Sequence, residues 1–124
     1  MKLLVVDDSA TMRKIIGRNL NKGAYRTAEI LEAGDGKAAL ELLKAQAVDL
    51  ILSDVNMPNM TGLELLDALR ADAKLAAIPV IMITTEASPD AIRDMSARGA
   101  KACVAKPFTP EQLEEAIEAL KLKA

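Results

Sequence analysis

Residues 3–9 (LLVVDDS) decide the fold, because four apolar residues in an unbroken run are followed at once by two acids. A run of this kind, rich in β-branched residues, is typical of a strand buried on both faces of a parallel sheet. Similar runs recur at Leu50–Leu52 and Val80–Ile83, with a weaker one at Ala102–Ala105. A fifth candidate, Thr27–Ala33, alternates more between apolar and polar residues, which favours a place nearer the edge of the sheet. The pattern therefore predicts five strands.

Helical spacing is found in the segments between these runs. Met12, Ile16 and Leu20 recur at intervals of four, as expected for one face of a helix. Ser-Pro at 88–89 and Thr-Pro at 109–110 each place a capping side chain before a proline at the first helical position. Strand and helix thus alternate five times. Because β-α-β crossovers favour parallel neighbours, the sequence predicts an α/β fold, a doubly wound parallel sheet with helices on both faces.

Size and charge limit the choice of partners. The chain has 124 residues, of which 51% are apolar, enough for one continuous core. No linker, repeat or low-complexity segment is visible, so we expect a single domain over residues 1–124 with no attached output domain. The 16 basic and 18 acidic residues nearly cancel and form no basic run, which argues against nucleic acid or an anionic membrane and favours a protein partner.

Several residue types and patterns are scarce, and each absence excludes a class of protein. The opening apolar run is shorter than the roughly 7–15 residues of a signal-peptide core, and nothing approaches the roughly 18 apolar residues of a membrane span. The single cysteine, Cys103, cannot close an internal disulfide. We therefore expect a soluble, cytoplasmic protein. Histidine is absent, which excludes Ser-His and Cys-His nucleophiles and leaves the chemistry to carboxylates and lysines.

Reactive side chains follow four of the predicted strands at the point where each ends. They are Asp7 and Asp8 after the first strand, Asp54 after the third, Thr84 after the fourth and Lys106 after the fifth. Carboxyl ends of parallel strands share one edge of the sheet, where open α/β sheets bind ligands. If the first and third strands are neighbours, about 4.8 Å apart, the three carboxylates converge and repel one another. Either some of them are protonated or a cation neutralises them, and an all-oxygen site of this kind suits a hard cation such as Mg²⁺.

A magnesium ion at this edge would also allow phosphate chemistry. With its charge offset, a carboxylate can attack an incoming phosphoryl group, and Asp54 is the best placed to be that nucleophile. Lys106 supplies a point charge for one phosphoryl oxygen, and the Thr84 hydroxyl can donate to another. Backbone N–H groups in the loops around Asn56 and Thr85 offer further donors. The sequence thus favours a phosphoacceptor site.

Each of these residues also has a purely structural explanation. Asp8 or Ser9 would serve as the N-cap of the first helix, and Asp54 as a turn residue. Thr84 would be a strand-end hydroxyl, and Lys106 a side chain whose stem packs on the protein while its charge reaches water. Chance gives no reason, however, for three acids, a hydroxyl and a lysine to share one edge of one sheet, so together they favour a functional site.

Four motifs, taken together, resemble a known family. They are Val5-Val6-Asp7-Asp8-Ser9, residues 53–63 (SDVNMPNMTGL), Thr84-Thr85-Glu86 and Lys106-Pro107-Phe108-Thr109. The sequence resembles bacterial response-regulator receiver domains, and most of all the single-domain chemotaxis regulators of the CheY type. The resemblance spans the whole chain. It implies a flavodoxin-like five-stranded sheet in the order 2-1-3-4-5 with five helices, an order that the hydrophobic pattern alone does not give.

The resemblance also implies what the acidic residues do. Asp54 would accept the phosphoryl group from a histidine kinase of the CheA type. Asp8, Asp54 and the Asn56 carbonyl would ligate Mg²⁺, with Asp7 acting mainly through water. A divalent ion and an aspartyl phosphate at one place agree with the chemistry inferred from the residues themselves.

Further roles follow from the same resemblance. Thr84, Thr85 and Lys106 would bind phosphoryl oxygens and take part in switching, and the peptide bond after Lys106 would be cis. Asn56 and Glu86 resemble positions that tune how fast the acyl phosphate hydrolyses. Output would pass through the face of the fourth helix, fifth strand and fifth helix. We expect a monomer whose partners are the kinase, a flagellar motor-switch protein and a phosphatase.

One position departs from the family pattern. Relatives usually carry Tyr or Phe three positions before the lysine, and this chain has Cys103. No ring is available to turn inward when Thr84 moves, so we hypothesise that coupling passes through loop backbone or small-residue packing, with a weaker or different output surface. The alternative is that Cys103 is a small buried hydrophobe without such a role. Partner affinity of Cys103→Tyr, with and without phosphorylation, separates the two.

Other functions fit the sequence less well. An aspartyl phosphohydrolase would carry a second Asp two residues after a nucleophile on the first strand, where this chain has Ser9, and would need a cap segment. A flavodoxin-like nucleotide binder would need a phosphate loop and stacking aromatics, and the chain has one Tyr and one Phe. Within the receiver family, a chemotaxis regulator acting on the motor switch is preferred. A phosphorelay intermediate or phosphate sink in another pathway is the alternative.

Overall fold

A computed structural model describes residues 1–23 and 25–120, and within them five strands alternate with five helices, as the sequence predicts. The strands are β1 (Lys2–Val6), β2 (Glu29–Ala33), β3 (Leu50–Asp54), β4 (Val80–Thr84) and β5 (Ala102–Ala105). The helices are α1 (Ala10–Lys22), α2 (Gly36–Ala45), α3 (Gly62–Ala71), α4 (Pro89–Ala97) and α5 (Pro110–Ala119). The predicted start of β2 at Thr27 is wrong by two residues, because the Ala28 N–H donates to the Tyr25 carbonyl in a turn. The sequence also predicts that the last helix runs to the end of the chain, and residues 121–124 lie outside the described residues.

The five strands form one parallel sheet in the order β2-β1-β3-β4-β5, which confirms the flavodoxin-like, doubly wound fold. In the register of β1 with β3, Val6 lies opposite Ser53, so the residues that follow β1 lie beside Asp54. In the register of β4 with β5, Thr84 lies opposite Ala105, which brings Lys106 to the same edge. β2 is an edge strand, as its alternating pattern predicts.

Side chains of the central strands alternate between two core layers. Leu4 and Val6 of β1 point to the layer covered by α2, α3 and α4, whereas Leu3 and Val5 point to the layer covered by α1 and α5. All four are at most 1% exposed, and full burial of such a side chain contributes about 1.5–3 kcal/mol. The strand ends that carry the reactive residues are therefore held rigidly. None of the helices in residues 1–23 and 25–120 has the length and hydropathy needed to cross a membrane; the cytoplasmic location stays a prediction.

Side-chain caps fix where the helices begin. The predicted caps Ser88 and Thr109 are confirmed, and Thr109 also forms a capping box with Gln112. Gly99 adopts φ +111° just beyond the end of α4, a conformation that ends the helix. Asp35 caps α2 by accepting the Ala38 N–H at 2.8 Å. Loop geometry at the carboxyl edge thus follows from local capping chemistry.

The Asp35 cap should make stability depend on pH. Hydrogen bonds from the Ala38 backbone and the Asn59 side chain lower the pKa of Asp35 below its ordinary value. A lowered pKa means that the stabilisation is present above the unfolded-state pKa and is lost as the pH falls through the folded-state pKa. We expect Asp35→Asn, which keeps an acceptor without the charge, to unfold at lower urea than the wild type at pH 7 and to approach the wild type as the pH falls below the ordinary pKa of Asp. A gap that does not change with pH would contradict this.

Candidate phosphoryl-acceptor site

Three carboxylates meet at the carboxyl edge of the sheet. Oxygen atoms of Asp7, Asp8 and Asp54 all lie within 4.8 Å of one another. Asp7 and Asp8 follow β1, and Asp54 is the last residue of β3, so the adjacency of these two strands brings the three together. The structure therefore has the acid cluster that the sequence predicts.

Lys106 bridges two of these acids. Its Nζ donates to Asp7 Oδ2 at 3.1 Å and lies 3.3 Å from Asp54 Oδ1. The Asp7 side chain is only 3% exposed and that of Lys106 15%, so water screens the pairing weakly. The Lys106–Pro107 peptide bond is cis, as the resemblance implies. Lys106 can therefore form an ion pair with a negative charge on Asp54 or on a group bound to Asp54.

Burial disfavours a charge on Asp54. Desolvation raises the pKa of Asp54, the positive charge of Lys106 opposes this, and the negative charge of Asp7 adds to it. The Val55 N–H donates to Asp54 Oδ1 at 2.9 Å, which fixes one carboxylate oxygen. The second oxygen is then the candidate nucleophile.

Thr84 and its loop border the cluster from β4. The Thr84 side chain is buried, and its Oγ1 accepts the Glu86 N–H at 2.9 Å. That bond uses the oxygen as an acceptor and leaves the hydroxyl hydrogen free to donate elsewhere. Thr85 and Glu86 are exposed. The structure thus places all three residues at the same edge as Asp54, with Thr84 held and its two neighbours open to solvent.

Capping of α1 separates the roles of Asp8 and Ser9. Ser9 is the N-cap, and its side chain accepts the Met12 N–H at 3.1 Å. The interpretation of Asp8 as the cap is therefore wrong, and Asp8 is left exposed beside the other acids. Asn56 is exposed in the loop after Asp54, and its role as a carbonyl ligand stays a prediction.

Cys103 lies away from the acid cluster, on β5. It is half-buried, packs on the core layer under α4, and lies opposite Met82 in register. Burial raises the pKa of its thiol, which keeps the sulfur neutral and apolar. Hollows of about 390 and 110 Å³ adjoin it, towards α5 and α4 respectively. Cys103 thus lines part of two hollows, and its coupling role stays a prediction.

Two contacts at this edge could not be predicted from the sequence. Arg13 of α1 donates from Nη1 to the Asp7 carbonyl at 2.6 Å. Asn59, with φ +64°, donates from its side chain to Asp35 Oδ2 at 2.7 Å and so ties the loop after Asp54 to the start of α2. The Met-Pro-Asn run signals a turn, but no sequence signal gives the partner of either side chain.

The donor set at this edge fits a magnesium ion. Three carboxylates supply only oxygen, the ligand type that Mg²⁺ prefers, and they lie close enough to share one ion. One of them, Asp8, is exposed, so water can complete the coordination. Lys106 offsets part of the negative charge and would share the cluster with the ion.

The fold and this cluster define a class of protein. Residues 3–118 match the response regulator receiver domain, so the chain belongs to that family and is a phosphorylation-activated response regulator. Receiver domains as a class use Mg²⁺ at an acidic pocket of this kind.

Individual relatives are named for chemotaxis. The chain is 46% identical over 119 residues to the "Chemotaxis protein CheY" of Pseudomonas aeruginosa, covering 95% of this chain and 94% of that one. It is 44% identical, with the same coverage, to "Chemotaxis protein CheY1" of Helicobacter pylori.

Solved structures agree with the sequence matches. The chemotaxis response regulator CheY4 of Vibrio cholerae superposes with a TM-score of 0.86 at 38% identity, covering 96% of this chain and 97% of that one. The receiver domain of a histidine kinase from Syntrophus aciditrophicus gives a TM-score of 0.84 at 29% identity, covering 96% and 88% of the two chains. Similarity in this fold thus extends to receivers that are part of other signalling proteins.

Proposed function

We propose that residues 1–124 act as a single receiver that takes a phosphoryl group onto Asp54 from a CheA-type histidine kinase in a Mg²⁺-dependent reaction. The modified chain would signal by protein–protein contact in chemotaxis, at the flagellar motor switch. One observation carries the proposal: three carboxylates and Lys106 meet at a single edge of the sheet. The chain would catalyse only its own phosphorylation and dephosphorylation.

Asp54 is the nucleophile in this proposal. Its free carboxylate oxygen attacks phosphorus, the oxygen–phosphorus bond forms as the nitrogen–phosphorus bond of the donor breaks, and the electron pair of that bond stays on the imidazole nitrogen of the kinase. Val55 holds the other carboxylate oxygen by its N–H, so the attacking oxygen keeps one direction.

Two side chains would stabilise the negative charge on the incoming phosphoryl group. Lys106 already lies 3.3 Å from Asp54 Oδ1 and needs only a small shift to meet a phosphoryl oxygen. Thr84 has its hydroxyl hydrogen available, because its oxygen already accepts from the Glu86 N–H. A donation from Thr84 to the phosphoryl group would pull on the loop that carries Thr85 and Glu86. That pull is the switching motion that we propose.

Asp8, Asp54 and the Asn56 carbonyl would hold the magnesium ion, with Asp7 acting through water. The bound ion supplies positive charge that lets a carboxylate and a phosphoryl group approach each other. Asp7 is fully engaged by the Ser9 N–H and Lys106, which suits an indirect role better than a direct one. Asn56 and Glu86 border the cleft and are exposed, as positions that control water access would be.

Metal removal tests the proposal. With a small phosphodonor and Mg²⁺, intact-mass analysis should find the added mass of one phosphoryl group. With excess chelator the adduct should disappear, because three carboxylates that only Lys106 offsets repel the donor. An adduct of equal yield in chelator would contradict the metal-dependent mechanism.

The chemotaxis role is supported by the names of the similar proteins from Pseudomonas aeruginosa and Helicobacter pylori. The alternative, a phosphorelay intermediate or phosphate sink, rests on Cys103, which stands where relatives usually carry an aromatic ring. A motor-switch peptide should bind more tightly when a phosphoryl mimic is present. Equal affinity with and without the phosphoryl mimic would favour the alternative.

A further inference from the structure

Arg13 connects α1 to two neighbouring strand ends at the site. Its Nη1 donates to the Asp7 carbonyl at 2.6 Å, and its Nε donates to Glu32 Oε1 on β2 at 2.9 Å. The arginine side chain is 19% exposed and that of Glu32 41%, so the ion pair lies at the border between the protein and water. Among the described residues, neither Arg13 nor Glu32 forms a hydrogen bond with Asp54.

The bond to Asp7 completes the restraint of that residue. The Asp7 N–H donates to the Ala33 carbonyl at 3.1 Å, and its side chain accepts from the Ser9 N–H at 2.9 Å and from Lys106 at 3.1 Å. Its carbonyl lies one residue beyond β1, and its partner is the Arg13 side chain. With that bond, both backbone groups and both carboxylate oxygens of Asp7 are held.

Glu32 orients the arginine. A guanidinium group is planar, so a carboxylate that holds Nε also sets the direction of Nη1. Glu32 lies opposite Val5 in the register of β2 with β1, on a strand fixed by the sheet. The sheet therefore fixes Glu32, Glu32 orients Arg13, and Arg13 holds the peptide that joins Asp7 to Asp8.

We propose that Arg13, oriented by Glu32, is a positioning residue for the magnesium site, which holds the Asp7–Asp8 peptide so that both carboxylates are aimed at one point. This inference rests on the proposed function, because it concerns the affinity of that site for the ion. Outer partners that hold ligands in place are commonly worth about 10–100-fold in metal affinity.

Positioning and simple charge predict opposite effects when Arg13 is neutralised. A positive charge near a cation site weakens cation binding, so its removal should tighten binding if charge is all that matters. If Arg13 positions the ligands, its removal should weaken binding although a repulsive charge is lost. The sign of the change therefore separates the two explanations.

The test is a Mg²⁺ titration of isotope-labelled protein, followed by amide chemical shifts, which also show whether each variant is folded. The variant is Arg13→Met, which keeps the apolar stem, with Arg13→Gln in parallel as a second neutral side chain too short to make both bonds. The matched control is Lys14→Met, since Lys14 is exposed on the same helix and the substitution removes the same charge. With chelator present, amide hydrogen exchange at Ser9 measures how firmly the loop after β1 is held when no metal is bound.

We expect Arg13→Met and Arg13→Gln to weaken Mg²⁺ binding by about ten-fold or more, Lys14→Met to leave it unchanged, and exchange at Ser9 to be faster only in the Arg13 variants. Unchanged or tighter binding in the folded Arg13 variants would overturn the inference and leave the proposed function intact. Absence of Mg²⁺ binding by the wild type would reject the metal step of the proposed function, and the inference with it.

Discussion

Phosphorylation is expected to disappear when Asp54 is replaced by Asn. The amide keeps the size of the side chain and removes the charged oxygen that attacks phosphorus. Since burial raises the pKa of Asp54, removal of its charge relieves a desolvation penalty, and we expect the variant to remain folded. Intact-mass analysis with a small phosphodonor and Mg²⁺ should show no adduct, whereas thermal unfolding should show a cooperative transition.

The matched control is Asp90→Asn. Asp90 lies in the first turn of α4 with a side chain that is 92% exposed, so the same substitution removes an exposed charge that is not part of the acid cluster. This variant should be phosphorylated like the wild type. A persistent phosphoryl adduct in Asp54→Asn would show that another residue is the acceptor, and peptide mapping of that adduct would identify it.

The strands and their reactive ends could be predicted because their causes are local. A strand buried on both faces must be apolar throughout, so β1, β3 and β4 stand out as unbroken runs. Residues at the end of such a run lie at the carboxyl edge, so the sequence alone predicts that Asp7, Asp54 and Lys106 share that edge of the sheet. Caps are local as well, and both Ser/Thr-Pro pairs begin helices as predicted.

What could not be predicted depends on contacts between distant parts of the chain. The strand order came from family resemblance, since the hydrophobic pattern does not say which strands are neighbours. Arg13 has the spacing of an ordinary helix residue, and its two bonds exist only because the sheet brings Asp7 and Glu32 beside α1. The sequence also does not say whether Asp8 or Ser9 is the N-cap of α1, because both are good capping residues. In the structure the backbone geometry makes Ser9 the N-cap, and Asp8 is part of the acid cluster.

Gly62 shows how closely the site depends on such a contact, and Gly62→Ala is expected to be strongly destabilising. A Cβ at this position would overlap the Asp54 carbonyl oxygen and lie 2.7 Å from Met82 Cε. The Asp54 oxygen belongs to backbone in the middle of the sheet, and the Gly62 N–H donates to the Val55 carbonyl at 2.8 Å, so the two segments cannot separate cheaply. We expect a loss of about 3 kcal/mol in the free energy of unfolding, the upper part of the usual range for overpacking.

The same displacement should also reduce phosphorylation, because Asp54 itself carries the clashing oxygen. A nucleophile misplaced by about 1 Å can react up to about 100-fold more slowly. Gly17→Ala is the control: Gly17 lies inside α1, and its added Cβ would meet Ile30 Cγ2 at an ordinary 3.8 Å. That variant should gain about 1 kcal/mol from helix propensity and be phosphorylated like the wild type. Urea unfolding should therefore shift in opposite directions for the same substitution at these two glycines, and only Gly62→Ala should be phosphorylated more slowly than the wild type. Equal stability of both variants would mean that the loop after Asp54 yields more readily than its hydrogen bonds to Val55 and Asp35 suggest.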